Sequence, residues 1–222
     1  RSLPPRCRRL QGLAIPPPLA AALGPSTWIA GESEPSHERA TETHGGLQSW
    51  HLARASFGFS PAPDIEPTQS VSEEERWQGF VNCGDDAFAA ATTTLTDRMR
   101  RYGGRAAAEV HRWVAAQDLV FDACGKPAPL PRDADPSWPP LARADPAYPV
   151  AAARFYNRDY EGAAAAFERI AADPTSPWRD LAPYLAARSW IRRSTLGNCP
   201  AEECLARGAT VLERLAAEPS PA

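Results

Sequence analysis

The stretch that decides the fold is YPVAAARFYNRDYEGAAAAFERIAADP, residues 148–174. It predicts two short helices joined by a turn at residues 157–159, because apolar residues recur at helical spacing on both sides of the turn. Small residues on both segments let the two backbones approach closely, and larger apolar residues fill the seam between them. The small residues are Ala151, Ala153 and Ala163, and the larger ones are Phe155, Tyr160, Phe167 and Ile170. The stretch therefore predicts a tightly packed antiparallel helix pair.

The order of residues in this stretch resembles a tetratricopeptide repeat. In that family a small residue, an Asp-Tyr-Glu type of turn, an alanine, a later aromatic residue and a closing Asp-Pro recur over about 34 residues. The matching positions are Ala151, Tyr160, Ala163, Phe167 and Pro174, while Arg158 replaces the usual turn glycine and Ile170 a later alanine. The resemblance covers residues 147–222 and implies an all-α array of stacked helix pairs.

Two further segments resemble uncharacterised bacterial helical-repeat proteins. One is Asn82-Cys83 before an acidic helix start, and the other is QDLVFDAC at residues 117–124. This second resemblance implies no activity.

A second helix pair is predicted after the first. One helix is defined by the spacing of Leu181, Tyr184, Leu185, Arg188 and Ile191, and the other by the spacing of Leu205, Gly208, Val211, Leu212 and Leu215. Within the array, Trp178, Tyr184 and Arg188 are candidate partner-binding residues, because aromatic and arginine side chains concentrate binding energy at interfaces. The alternative is that all three pack between helical layers.

An earlier helical hairpin is predicted over residues 76–125. Gly103 and Gly104 separate two helical segments of similar length, and so short a connection makes consecutive helices antiparallel. The apolar stripes are Phe88, Ala91, Leu95, Met99 and Tyr102 on the first helix, and Ala107, Val110, Trp113, Val114, Val120 and Phe121 on the second. Cys83 and Cys124 then lie at the same end of the hairpin. They form either a disulfide, worth up to about 4 kcal/mol, or two separate buried thiols.

The other cysteine pair flanks the start of the last predicted helix. Cys199 and Cys204 can form a local disulfide if Cys199 stays outside the helix, which Pro200 at the first helical position allows. A zinc site built from all four of these cysteines is disfavoured, because the sequence has no Cys-x-x-Cys pair. Cys7 remains as an odd thiol in the N-terminal segment.

The histidines form no metal or catalytic motif. His37, His44 and His51 are spaced by seven, but the prolines and glycines nearby argue against a helix that would align them. His111 lies beside the apolar stripe of its helix and is expected to be solvated or paired with a carboxylate. The sequence contains no nucleophile elbow, phosphate-binding loop, dinucleotide fingerprint or zinc-protease motif. We therefore predict no catalytic residue, no metal and no cofactor.

Prolines divide the chain into ordered and irregular parts. Ten of the 24 prolines lie in residues 1–75, which show no sustained periodicity and are predicted to form an irregular or disordered arm. The connector, defined as residues 126–146, contains seven prolines and no helical period. We expect it to be a stiff segment that crosses the surface, with Trp138 against a helix face.

The fold class predicted is thus all-α, with antiparallel helical hairpins stacked as a tetratricopeptide-like array after an irregular arm. A net charge of −3 gives no reason to expect nucleic acid, and no apolar stretch is long enough for a transmembrane helix. We expect a non-catalytic module, exported from a bacterial cell, that binds a protein or peptide. Paired cysteines would place it in the periplasm or outside the cell, and unpaired ones in the cytoplasm. The alternatives are part of a cell-envelope or wall-acting enzyme with unrecognised catalytic residues, and a structural spacer.

Overall fold

The computed structural model describes residues 45–73 and 76–217. Over these residues the protein is all-α apart from one two-stranded antiparallel sheet, and antiparallel helical hairpins stack on one another as predicted. The helices are α1 (Gly45–Ser56), α2 (Asp85–Arg101), α3 (Ala108–Asp122), α4 (Pro140–Ala144), α5 (Ala147–Tyr156), α6 (Tyr160–Ala172), α7 (Ala182–Leu196) and α8 (Ala201–Ala217). The strands β1 (Thr68–Glu73) and β2 (Arg76–Val81) pair from Thr68 with Val81 to Glu73 with Arg76.

Helix α1 and strand β1 lie in the segment that the sequence predicted to be irregular, so the structure differs from that prediction here. Residues 1–44 and 74–75 of the predicted arm lie outside the described part of the chain. Tertiary packing explains why α1 forms. The Trp50 side chain is fully buried, and its ring centroid lies 5.5 Å from that of Phe121 and 6.2 Å from that of Trp113.

The first turn of α1 lies against the first turn of α2. Gly46 N donates a hydrogen bond to Asp85 Oδ1 at 3.1 Å. A Cβ atom at position 46 would lie 2.8 Å from the Asp85 carbonyl oxygen, so only glycine allows this approach. The two helix starts are therefore fixed to each other at a point where the sequence shows only a Gly-Gly pair.

Helices α2 and α3 form the predicted hairpin. Gly103 and Gly104 lie in its turn with φ values of 82° and 102°. The two helices pack less closely on each other than α2 does on α1 and α3 does on α5. The hairpin places Cys83 and Cys124 at disulfide-bonding distance, with their Cα atoms 5.5 Å apart.

The connector crosses the surface of α3 and contains the short helix α4. As predicted, Trp138 lies against a helix face: Arg112 Cζ on α3 is 4.1 Å from the centroid of its ring. At the other end, Ala128 and the Asn157 side chain exchange two hydrogen bonds of 2.8 and 3.0 Å. These contacts hold the connector on the helices, whereas its prolines only stiffen it.

Helices α5–α8 form the array, in which each helix packs on the next. The alanines that predicted a close approach of α5 and α6, Ala151, Ala153 and Ala163, are fully buried. Arg158 has a φ of 68°, in the left-handed region that favours glycine. Asp159 caps α6, because its Oδ1 accepts a hydrogen bond from Gly162 N at 3.0 Å.

The residues that α7 buries are not the ones whose spacing predicted the helix. Its buried residues are Ala182, Ala186, Ala187, Ser189 and Trp190, while Ile191, one of the residues whose spacing predicted the helix, is 37% exposed. The reason is that α7 packs on both α6 and α8. Its alanines allow a close approach of the neighbouring helices, and the Trp190 ring is buried with Ala164 of α6 and Cys204 of α8.

Candidate functional site

Trp178, the first of the three candidate partner-binding residues, packs between layers. Its ring stacks on Tyr148, with centroids 4.0 Å apart and planes at 17°. Its Nε1 donates a hydrogen bond to Asp145 Oδ1 at 3.0 Å. The side chain therefore ties the segment before α7 to the start of α5, which corresponds to the packing alternative.

Tyr184 and Arg188, the other two candidates, lie one turn apart on α7 and are both half-buried. Arg188 Nη1 is 3.3 Å from Asp86 Oδ2 at the start of α2, and its Cζ lies 5.3 Å from the Phe155 ring centroid. Burial raises the pKa of Tyr156 to about 12, against the opposing effect of Arg188. These residues form a polar seam between α7, α5 and α2, apart from the stacked Trp178.

A buried ion pair joins α2 to the segment between α4 and α5. Arg98 Nε and Nη2 donate to the two carboxylate oxygens of Asp145 at 2.5 and 2.7 Å, and both side chains are 4% exposed. Tyr102 Oη and Trp178 Nε1 donate to the same carboxylate at 3.2 and 3.0 Å. Burial, together with the Asp145 charge, raises the pKa of Tyr102. Four donors thus satisfy one carboxylate, as a buried charge requires.

A groove with a volume of about 600 Å³ lies between α3 and the connector, beside this ion pair. Its apolar lining includes Trp113, Ala115, Ala116, Leu119, Pro131 and Trp138. Its charged lining includes Glu109, Arg112, Arg132, Asp133, Asp135 and Asp145. We refer to this space as the groove. It combines apolar surface with charges of both signs, as binding sites for ligands and short peptides do.

The Arg112 and Trp138 pair forms part of the groove wall. Arg112 is 38% exposed and Trp138 is half-buried, so the stacked pair remains accessible. The Arg112 guanidinium also lies 3.4 Å from Glu109 Oε1. A partly desolvated arginine over a tryptophan face is stabilised by a cation–π interaction. The pair therefore presents a broad, ordered surface to anything that enters the groove.

The acidic residues of the groove are largely engaged by neighbours. Asp145 is held by Arg98, and Glu109 by Arg112. Asp135 Oδ1 accepts hydrogen bonds from Ser137 N and Oγ at 2.8 and 2.7 Å, which lower the pKa of that carboxyl. A general acid needs a carboxyl with a raised pKa aimed at a substrate.

The second cysteine pair also lies at disulfide-bonding distance. The Cα atoms of Cys199 and Cys204 are 6.2 Å apart at the start of α8. Within residues 45–73 and 76–217, no group of three or more histidine, cysteine or acidic side chains is placed to hold a metal ion. The same ranges contain no helix with the length and apolar character of a membrane span. Cys7, His37 and His44 lie outside the described residues.

Two other titratable residues, His111 and Asp118, make structural contacts away from the groove. His111 is exposed on α3, and its ring lies edge-on to Phe59 with centroids 5.0 Å apart. Asp118 accepts a hydrogen bond from the buried Arg54 of α1. Burial raises the pKa of Asp118 to about 6 although Arg54 acts to lower it, and Asp122 adds to the rise. This carboxylate belongs to the contact between α1 and α3.

Sequence reasoning missed the groove because its two walls are separated in the chain. No sequence signal singled out Arg112, because it lies on the solvated side of the apolar stripe of α3. Trp138 carried a usable signal: a large aromatic residue within a proline-rich segment has to find a surface on which to pack.

No protein-family model, no curated protein and no solved structure matches this chain.

Proposed function

We propose that this protein is a non-catalytic interaction module, tetratricopeptide-like in its last two helix pairs, that binds a protein or peptide segment in the groove. The observation that carries the proposal is the groove itself, with its volume of about 600 Å³, its apolar lining and its accessible Arg112 and Trp138. Ligand sites have volumes of about 300–1,000 Å³. Tryptophan and arginine are the residues that concentrate binding energy.

The partner that fits best is a short extended peptide segment. The alanines of α3 leave a smooth apolar surface on which small side chains can pack. Arg132 and Asp133 are both exposed at the edge of the groove, where they can contact charged groups of either sign on a peptide. One wall is a proline-rich segment whose conformational entropy is already reduced, so ordering it on binding costs little.

We further propose that the protein works in an oxidising compartment, in the periplasm or outside the cell. Two cysteine pairs at disulfide-bonding distance support this proposal. Disulfides persist in such compartments and are rare in the reducing cytosol.

The test is selection of peptides from a random display library against the full 222-residue chain. We expect the selected peptides to share an apolar core and to bind the wild-type protein in solution. Trp138→Ala should weaken their binding by about tenfold or more, because truncation of an interface tryptophan commonly costs at least 2 kcal/mol.

Leu130→Ala is the matched control, since Leu130 is 40% exposed on the same connector and does not line the groove. It should leave affinity unchanged, and circular dichroism should show that both variants keep the wild-type helix content. Failure to enrich any peptide family, or equal binding by the Trp138→Ala protein, would contradict the proposal.

A further inference from the structure

Buried and half-buried arginines of this fold commonly lie beside a carboxylate. The pairs are Arg54 with Asp118, Arg98 with Asp145, Arg188 with Asp86, and Arg193 with Glu161. Arg192, on α7, is also half-buried. Among residues whose contacts the structure describes, no carboxylate lies within ion-pair distance of it.

Arg192 lies at the junction of β2 and α2, where its contacts are a carbonyl group and an aromatic ring, and the Tyr160 and Tyr156 phenols are also close enough to act on its charge. Its Nη2 donates a long hydrogen bond of 3.4 Å to the Val81 carbonyl oxygen. Its Cζ lies 5.6 Å from the Phe80 ring centroid. One carbonyl and one ring leave most of the five N–H donors of a guanidinium available for a stronger acceptor.

Arg188 brings a second positive charge to the same face of α7. Side chains four positions apart on a helix are neighbours, with Cβ atoms about 5–6 Å apart. Arg188 Nη1 lies 3.3 Å from Asp86 Oδ2, and the charge of this carboxylate also acts on Arg192. Burial and the charge of Arg188 both lower the pKa of Arg192, which agrees with a cation that has too few negative neighbours.

We propose that Arg192, together with Arg188, forms an oxyanion-binding site between α7 and the β2–α2 junction. The ligand group is a carboxylate or a phosphate, because both offer paired oxygens that match the planar guanidinium fork. The site contains none of the residues that line the groove. It therefore goes beyond the proposed peptide binding and can be tested independently of it.

The experiment follows the backbone and arginine Nε–H resonances of α7 in the full chain by NMR while sodium acetate or inorganic phosphate replaces chloride at constant ionic strength. We expect saturable shifts at Arg192 and Arg188 with at least one of these anions. Tighter binding of acetate identifies a carboxylate ligand, and tighter binding of phosphate identifies a phosphorylated one. Absence of saturable shifts with both anions overturns the proposal.

Arg192→Gln should weaken anion binding by about tenfold or more, since hydrogen bonds to charged groups contribute about 1.5–3 kcal/mol each. Arg193→Gln is the matched control, because Arg193 is the next residue on α7 and already lies 2.8 Å from Glu161. It should leave anion binding unchanged.

Asp86→Asn should strengthen anion binding, whereas Arg192→Gln should weaken it. The substitution removes the negative charge that lies 3.3 Å from Arg188 and competes with an external anion, so anion binding should become several-fold tighter. A purely structural role for Arg192 does not produce this gain. Unchanged or weaker binding in the folded Asp86→Asn protein would count against the site.

Discussion

At the residue scale, Asp118 shows how burial competes with an ion pair. Its partner Arg54 is 5% exposed, and Asp118 itself is 28% exposed. Burial is the largest influence on the carboxyl and raises its pKa from the usual 3.8 to about 6, against the favourable effect of Arg54. The desolvation of the carboxylate therefore outweighs its attraction to the arginine, as is common for buried pairs.

This pKa gives a prediction for stability against pH. Because the folded state binds the proton more tightly than the unfolded state, Asp118 favours folding below pH 4, and this contribution is lost as the pH rises through about 6. The loss amounts to about 3 kcal/mol at most. In Asp118→Asn this part of the pH dependence should disappear, while other carboxyls titrate as before.

The measurement is urea unfolding of the wild-type and Asp118→Asn proteins at a series of pH values from 4 to 7. The quantity to compare is the difference between their free energies of unfolding. As the pH rises, the free energy of unfolding of the wild-type protein should fall relative to that of the variant. A difference that is the same at every pH would show that the pKa of Asp118 is close to its ordinary value.

At the element scale, α1 is the helix that depends most on its neighbours. Its contact with α2 and α3 centres on Trp50, whose ring lies close to those of Trp113 and Phe121. The sequence of α1 has two glycines at the start and few strong helix formers on its buried side. Intrinsic helix propensity therefore contributes little to the stability of α1.

We predict that Trp50→Ala destabilises the protein by about 3–5 kcal/mol, the usual cost of truncating a buried aromatic side chain. Hydrogen exchange measured by mass spectrometry should show the largest loss of protection in residues 45–56. Leu52→Ala is the control, because Leu52 is on the same helix and 63% exposed. Equal effects of the two substitutions would mean that α1 is not held by its tryptophan.

The comparison of α1 with α5 and α6 shows what could be predicted at this scale. The paired helices of residues 148–172 have a regular apolar period, an Asp159 cap and small residues at their contact. The features that favour each helix and the features that favour their packing therefore agree, and this pair could be predicted from the sequence. The spacing of apolar residues predicted α7 as a helix but not which residues it buries, because α7 packs on both α6 and α8 and buries its alanines and Trp190 against them. The groove could not be predicted, because it exists only once residues 131–138 lie across α3.

At the scale of the whole molecule, the N-terminal layer and the array are joined by buried polar contacts. Asn82, 1% exposed, donates from Nδ2 to the carbonyl oxygens of Cys124 and Tyr156 at 2.9 and 3.0 Å, and so connects the ends of α3 and α5. The Arg98–Asp145 pair connects α2 to the start of α5. The adjacent Cys83–Cys124 pair lies where these elements meet.

The two cysteine pairs should differ in their effect on stability. A disulfide between Cys83 and Cys124 spans 41 positions, and one between Cys199 and Cys204 spans five. On the chain-entropy model the Cys83–Cys124 disulfide adds about 4 kcal/mol to the free energy of unfolding, and the Cys199–Cys204 disulfide adds about 2 kcal/mol. We therefore expect the double variant Cys83→Ser/Cys124→Ser to lose about twice as much free energy of unfolding as Cys199→Ser/Cys204→Ser.

Chemical denaturation of the two double variants, with masses measured before and after reduction of the wild-type chain, tests this expectation. The wild-type protein should gain the mass of four hydrogen atoms on reduction, two for each disulfide. A mass unchanged by reductant, or equal losses of stability in the two variants, would contradict it.

The connector is anchored at both ends, by the Ala128–Asn157 hydrogen bonds and by Asp145 in its buried ion pair. Because both ends are fixed, the number of residues between these anchors determines the distance between the connector and α3. That distance is the width of the groove. Adding or deleting residues within 129–139, before α4, would change the width of the groove without substituting any residue of the helices that form its other wall. For the peptide binding proposed above, the size of the accepted segment would then change while the core stays the same.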